Sequence, residues 1–336
     1  MTYATAHAPW ILSHAIEIDR HCAGFCGELL RVSSERQHLI AAYLAAKPPS
    51  DGEHWEAANF LLRARHCEIL SAGYGEVPRG LRRALGRSGA VVHAERFYGL
   101  LHRLLTRGDN GIAKCIAQVP RLDLNTLIAI EVLPSAACSP NLVRAVMGEA
   151  DARDVATAFE VLVESGVDEE WLASDLREVK TQKALSSVFQ KAARRAKAPP
   201  HPVPPADFYH PIETGEELFS VAREFRNCLR NYTCSLLDDA QGNAFAIASR
   251  GGHRTVVHLV RGPSGWKLEG LFKTRNRRPS RPTRERIESY LKEHGVLVES
   301  REPRKSSRWD SVHNLICADL LDFQFGLELE ELEETV

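Results

Sequence analysis

Between residues 7 and 198 the apolar positions recur at three- and four-residue spacing, the period of one face of an α-helix. The segments WILSHAIEI, ERQHLIAAYLAA, HWEAANFLLRARHCEIL, AERFYGLLHRLLTR and DVATAFEVLVESG each read as a helix. Pro48-Pro49-Ser50-Asp51-Gly52, Gly108-Asp109-Asn110-Gly111, Pro134 and Pro140 interrupt them, because proline lacks an N–H and glycine loosens the backbone. Ser50 or Asp51 is placed to cap one helix start, and Gly166 to close another. Helix pairs in series are compatible with an α-solenoid, although no fixed repeat period is present. The expectation is a helical scaffold over 1–198 that supports the rest or binds a partner. Five prolines within residues 199–205 favour a stiff, extended connection, and 199–208 is expected to be a linker between domains.

Beyond it the period changes. Thr214-Gly-Glu-Glu217 has the form of a capping box. The helix it opens is expected to run to about Arg230, with Leu218, Val221, Ala222, Phe225, Leu229 and Tyr232 on its apolar stripe. Asn243–Ser249, Arg254–Val260 and Trp266–Phe272 alternate or are rich in β-branched residues, as strands do. Gly251-Gly252 suits a hairpin turn that needs positive φ, and Gly262-Pro-Ser-Gly265 a second turn. Pro282 fits the first turn of a last helix, with Ile287, Tyr290 and Leu291 inward and Gly295 at its end. Val296–Val298 is a candidate fourth strand. The fold class read from this order is α+β: an all-α N-terminal region, then a small domain over 209–309 with an antiparallel three- to four-stranded sheet and flanking helices.

Composition changes this picture little. The chain is 44% hydrophobic and 26% charged, as ordinary globular proteins are. No run of eighteen apolar residues is present, so no membrane span is expected. The N-terminal residues do not have the form of a secretory signal. Eight cysteines without a CxxC pair read as reduced thiols in a cytoplasmic protein. His21, Cys22 and Cys26, and His66 with Cys67, lack a second pair at ligand spacing, so neither a metal site nor a cofactor is expected.

Charge changes it more. The net charge is −1, yet residues 250–286 hold eleven Lys or Arg against two Glu, and residues 310–336 hold eight acids and no Lys or Arg. Seven of the basic residues fall within Phe272–Arg286, between the third strand and the last helix. Free N–H groups and the helix dipole favour anions at such a junction, and arginine forks match phosphate geometry. Lys273, Arg275, Asn276, Arg277, Arg278, Arg281 and Arg284 are therefore the candidate phosphate contacts. A solvated basic face, or pairing with the acidic segment 310–336, is the alternative. Trp266, Phe272 and Tyr290 are candidate base-stacking rings, although the shared parity of Trp266 and Phe272 also suits a core face.

The sequence offers one candidate set for catalysis. Cys228 and Tyr232 would stand one helical turn apart, with His258 approaching from the sheet, the minimum for a thiolate nucleophile and its base. Packing of the helix on the sheet explains the same residues. The C-terminal domain has few acids before 310–336, with Asp238-Asp239 read as part of a loop, and neither a P-loop nor a GxGxxG is present, so a metal-dependent nuclease or nucleotide hydrolase is not expected.

The succession Phe225-Arg-Asn-Cys228-Leu-Arg-Asn-Tyr232, a strand hairpin, Trp266-Lys-Leu-Glu-Gly270 and Arg275-Asn276-Arg277-Arg278-Pro279 before a helix resembles the PcfJ-like family over roughly 209–295. Here Asn227 stands where family members commonly carry a His. The resemblance implies a plasmid, phage or anti-phage setting and work on nucleic acid, without supplying a reaction. The expected function is nucleic-acid binding, DNA or RNA, through the basic loop 273–286. The alternatives are an enzyme with a site around Cys228 and Tyr232, and an adaptor that binds a protein partner through its helical region.

Overall fold

A computed structural model describes residues 8–274 and 277–297. Among these, sixteen α-helices accompany one four-stranded antiparallel sheet near the C-terminal end, and the class is α+β. Arg275, Asn276, Val298 and the acidic segment 310–336 lie outside the described residues. The chain divides into two compact units, Met1–Arg153 with Arg177–Lys180, and Asp154–Leu176 with Thr181–Val336.

The first unit contains α1 (Pro9–His21), α2 (Phe25–Arg31), α3 (Ser34–Ala46), α4 (His54–Arg63), α5 (His66–Tyr74), α6 (Leu81–Leu85), α7 (Glu95–Thr106), α8 (Asn110–Gln118), α9 (Leu124–Val132) and α10 (Pro140–Ala145). Helix α3 is its centre. Residues 37–44 are all buried, because this stretch is apolar nearly all round instead of along one stripe, and α5 and α7 pack against it. The segment HWEAANFLLRARHCEIL forms two helices, α4 and α5, not one. The Arg36 guanidinium donates to the carbonyls of Leu61 (2.6 Å) and Ala64 (2.7 Å), and the Arg65 N–H donates to Glu68 Oε2 (2.6 Å). These bonds satisfy the backbone groups that a helix break leaves unpaired.

The second unit contains the bulk of α11 (Glu149–Glu164), then α12 (Glu169–Arg177), α13 (Gln182–Arg195), β1 (Tyr209–Pro211), α14 (Gly215–Phe225), α15 (Thr233–Leu237), β2 (Asn243–Arg250), β3 (His253–Gly262), β4 (Gly265–Phe272) and α16 (Arg281–Glu293). Gly166, at φ +86°, closes α11: its N–H bonds Val163 O and the next N–H bonds Leu162 O, the two bonds of a Schellman end. The proline-rich stretch 199–205 lies inside this unit. Val203 is fully buried in its core, and Ala198 N–H donates to Glu213 O at 2.7 Å. Thr214 caps α14 through the Glu217 N–H (3.2 Å), and the Glu217 carboxylate reaches back to the Glu213 N–H (2.7 Å). That carboxylate bond falls one residue earlier than in a standard capping box.

The sheet runs β1-β2-β3-β4 and is covered on both faces. The small residues Ala244, Ala246 and Ala248 of β2 face Tyr209 and Ile287 and Leu291 of α16. The large ones, Phe245 and Ile247, face Leu218, Val221, Ala222 and Phe225 of α14. The alternation of large and small in NAFAIAS thus serves two different cores. Gly251 and Gly252 both take positive φ, 55° and 78°, as a tight hairpin requires.

Three expectations are corrected. Helix α14 stops at Phe225, not near Arg230, because Arg226 takes the left-handed conformation (φ 49°); Asn227 then caps a 3₁₀ turn over Cys228–Tyr232. The fourth strand of the sheet is β1, at the opposite edge from Leu297, which among the described residues adds an isolated parallel bridge to Lys267; Val298 lies outside the described residues. Third, β4 carries a bulge: His258 pairs with Gly270 and Leu259 with Leu268, which leaves Glu269 as an extra residue. The bulge reverses side-chain parity along the strand, so Trp266 and Phe272 do not share a face. Trp266 packs on the α16 side and Phe272 on the α14 side.

Candidate nucleic-acid interface

Strand β4 is the edge of the sheet, and Leu297 covers only its first part. The Leu297 N–H donates to Trp266 O and the Leu268 N–H to Leu297 O, both at 2.7 Å. Beyond that point a groove of about 590 Å3 opens between β4 and the start of α16. Its lining combines Leu268–Phe272 of β4 with Arg278, Pro279, Arg281, Arg284 and Glu288.

The loop that brings the arginines here is tied at its base, where Lys273 N–H donates to Arg277 O at 2.7 Å. Ser280 precedes α16 in an extended conformation, but its hydroxyl bonds Thr283 Oγ1 (2.9 Å) and caps no backbone N–H. The first turn of α16 contains no acidic residue. An uncapped, acid-free helix start favours an anion.

The candidate cations are not equivalent. Arg281 pairs with Glu285 (2.7 Å) and Arg284 with Glu288 (2.6 Å), one turn along the same helix. The Arg281–Glu285 pair is exposed, and exposed pairs of this spacing contribute only about 0.3–0.5 kcal/mol, so a phosphate can displace its carboxylate; Glu288 is more enclosed, its side chain 20% exposed. Arg277 and Arg278 are exposed and Lys273 is half-buried, and none of the three is ion-paired among the described residues. Arg286 lies over the Phe208 ring at 4.3 Å, which engages it in packing. Arg275 and Asn276, named from the sequence, lie outside the described residues.

The candidate stacking rings separate. Phe272 lines the groove. Trp266 lies under Arg261 at 4.9 Å and packs on the core. Tyr290 bonds Pro204 O through its hydroxyl (2.9 Å) and packs beside Phe208 and Tyr209. Its task is to hold the proline-rich stretch. The apolar floor of the groove was not legible in the sequence, because the bulge at Glu269 that turns Phe272 away from the Trp266 face leaves no signature there.

The candidate catalytic residues are only partly assembled. Tyr232 meets His258 edge-on at 5.5 Å, and His258 stacks on Phe245 at 4.3 Å. His258 is buried and its Nε2 lies 2.8 Å from Asn243 Oδ1; because that oxygen only accepts, Nε2 carries the proton. Cys228 is exposed at the opening of the 3₁₀ turn. Cys228 and Tyr232 are the first and last residues of that 3₁₀ turn; at three residues per turn they stand about 120° apart around its axis, not stacked as on an α-helix.

In comparisons with known proteins no family model matches the sequence, no curated protein matches it, and no solved structure matches the fold.

Proposed function

We propose that this chain binds nucleic acid through the phosphate backbone, at the groove between β4 and α16. The observation that carries the reading is the convergence of Arg278, Arg281 and Arg284 on one groove at an uncapped helix start. Arg277 and Lys273 lie at the approach to it. Contacts of this kind fix position and carry no sequence code. A plasmid, phage or anti-phage setting follows from the resemblance to PcfJ-like proteins and forms part of the same proposal.

Fluorescence anisotropy with labelled DNA and RNA tests it, wild type beside Arg277→Ala/Arg278→Ala/Arg281→Ala. Loss of about three phosphate contacts should weaken binding by at least tenfold at about 0.1 M salt. Equal affinity of the two proteins would remove the groove from the reading.

A second reading, an adaptor surface on the first unit, is favoured by four large apolar side chains left exposed on α1, α2 and α4: Leu12, Ile16, Leu30 and Trp55. Leu12 and Ile16 stand one helical turn apart and so share a face of α1, and contiguous exposed apolar surface marks a contact site. Ile16→Lys with Trp55→Lys should abolish capture of a protein partner and leave nucleic-acid affinity unchanged; a shift in that affinity counts against two separate surfaces.

A further inference from the structure

Resting on the phosphate-binding reading above, we infer that the groove takes a single strand of nucleic acid in preference to a duplex, with an unpaired base laid on its floor. Two independent features lead there. The first is shape. Arg278, Arg281 and Arg284 line a concavity of about 590 Å3. Readers of duplex DNA push a convex helix or ribbon into a groove of the duplex. A duplex is itself a convex cylinder with its bases stacked inside, so it meets a concavity of this size only at the rim. One strand can enter it, keep its phosphates along the arginines and turn its bases inward.

The second feature is the floor. Leu268, Leu271 and Pro279 line it, and Phe272 lines it from the other face of the strand edge. Apolar surface gains nothing from phosphate or sugar. The apolar part of a nucleic acid is the face of a base, and only an unpaired strand offers that face. Phe272 is half-buried and lines the groove. Gly270 makes room for that ring, since a Cβ at 270 would come within 2.3 Å of it. The carboxylates of Glu269 and Glu288 also line the groove.

The full chain is titrated with labelled single strands of about 20 nucleotides, DNA and RNA, and challenged with the same sequences as duplexes at about 0.15 M salt. The single strand is expected to bind at least about tenfold more tightly than the duplex. Phe272→Leu keeps the core contact apolar and removes the stacking ring. It is expected to weaken single-strand binding by about tenfold and leave duplex binding unchanged. Arg277→Ala/Arg278→Ala should weaken both. Thermal melting of each variant by circular dichroism separates loss of binding from loss of fold, and Gly270→Ala, which displaces the ring without removing it, gives a second reading of the floor. Equal affinity for strand and duplex, with Phe272→Leu silent, overturns the single-strand inference and leaves the phosphate reading standing. Binding of neither form at low salt overturns both.

Discussion

At the scale of single residues, three positions show local preference yielding to the fold. Arg226 is the one non-glycine residue with positive φ among the described residues. That conformation costs an L-residue about 1–2 kcal/mol, and here it turns the chain from α14 into the 3₁₀ turn. Arg226→Gly is expected to raise stability by up to about 1 kcal/mol in urea unfolding; a loss would mean that the arginine side chain supports the turn. Gly215 is the opposite case. A Cβ there would stand 2.3 Å from Ala193 O and 2.9 Å from Arg194 Cα, and backbone cannot move aside as a side chain can. Gly215→Ala is expected to destabilise by about 2–4 kcal/mol, read as a lower midpoint of denaturation. His38 is the third. It is buried between Tyr98 OH (2.9 Å) and Gly89 O (3.1 Å), and burial pushes its pKa down to about 4. In the unfolded chain the ordinary value is about 6.5. As pH falls, the unfolded chain takes up the proton first, so this contribution is complete above about 6.5 and lost progressively down to about 4. The melting temperature should fall across that window, and less steeply in His38→Gln; parallel curves would rule out His38 as the source.

At the scale of elements, what matters is how each one ends. The capping bond from Thr214 to Glu217 N–H starts α14, and Thr214→Ala should cost about 1 kcal/mol, measured by chemical denaturation. A cost near zero would indicate that the packing of Gly215 on α13 alone sets the helix start. Helix α16 begins without such a bond, and that deficit lies beside the arginine groove. The edge strand is treated in two ways along its length. Leu297 pairs with its first part, and the groove follows its second. The bulge at Glu269 separates the two, because the extra residue moves Phe272 from the Trp266 face of the sheet to the other. The sequence showed the strand, its turns and the helix after it, since periodicity and glycine placement are local properties. It did not show the bulge, because an extra residue is defined by its partner strand. Nor did it show the early end of α14, since the propensities of Arg226 and Asn227 do not forbid a helix.

At the scale of the whole molecule, charge is distributed against its sum. The net charge of −1 gives no long-range attraction to a polyanion, so the proposed binding would depend on the cluster around α16. Salt dependence then reports how many arginines engage. With about three or four phosphates neutralised, the logarithm of affinity for a single strand should fall against the logarithm of salt with a slope of about −2 to −3. A slope near zero would argue for apolar or protein-directed use of the groove.

The sequence by itself determined the α+β class, the helical first part, the three consecutive strands and the concentration of arginine at the last strand-to-helix junction. Each depends on spacing or composition within a short window, and the chain obeys those rules wherever nothing opposes them. Tertiary structure decided the rest. It set β1 as the fourth strand, because pairing needs a partner distant in sequence. It drew the proline-rich stretch into a core through Val203 and Tyr290. It bonded His258 to Asn243 and set it edge-on to Tyr232. It placed three arginines, the edge strand β4 and the Phe272 ring around one groove, a juxtaposition that exists only once the bulge has turned the strand and α16 has packed on the sheet.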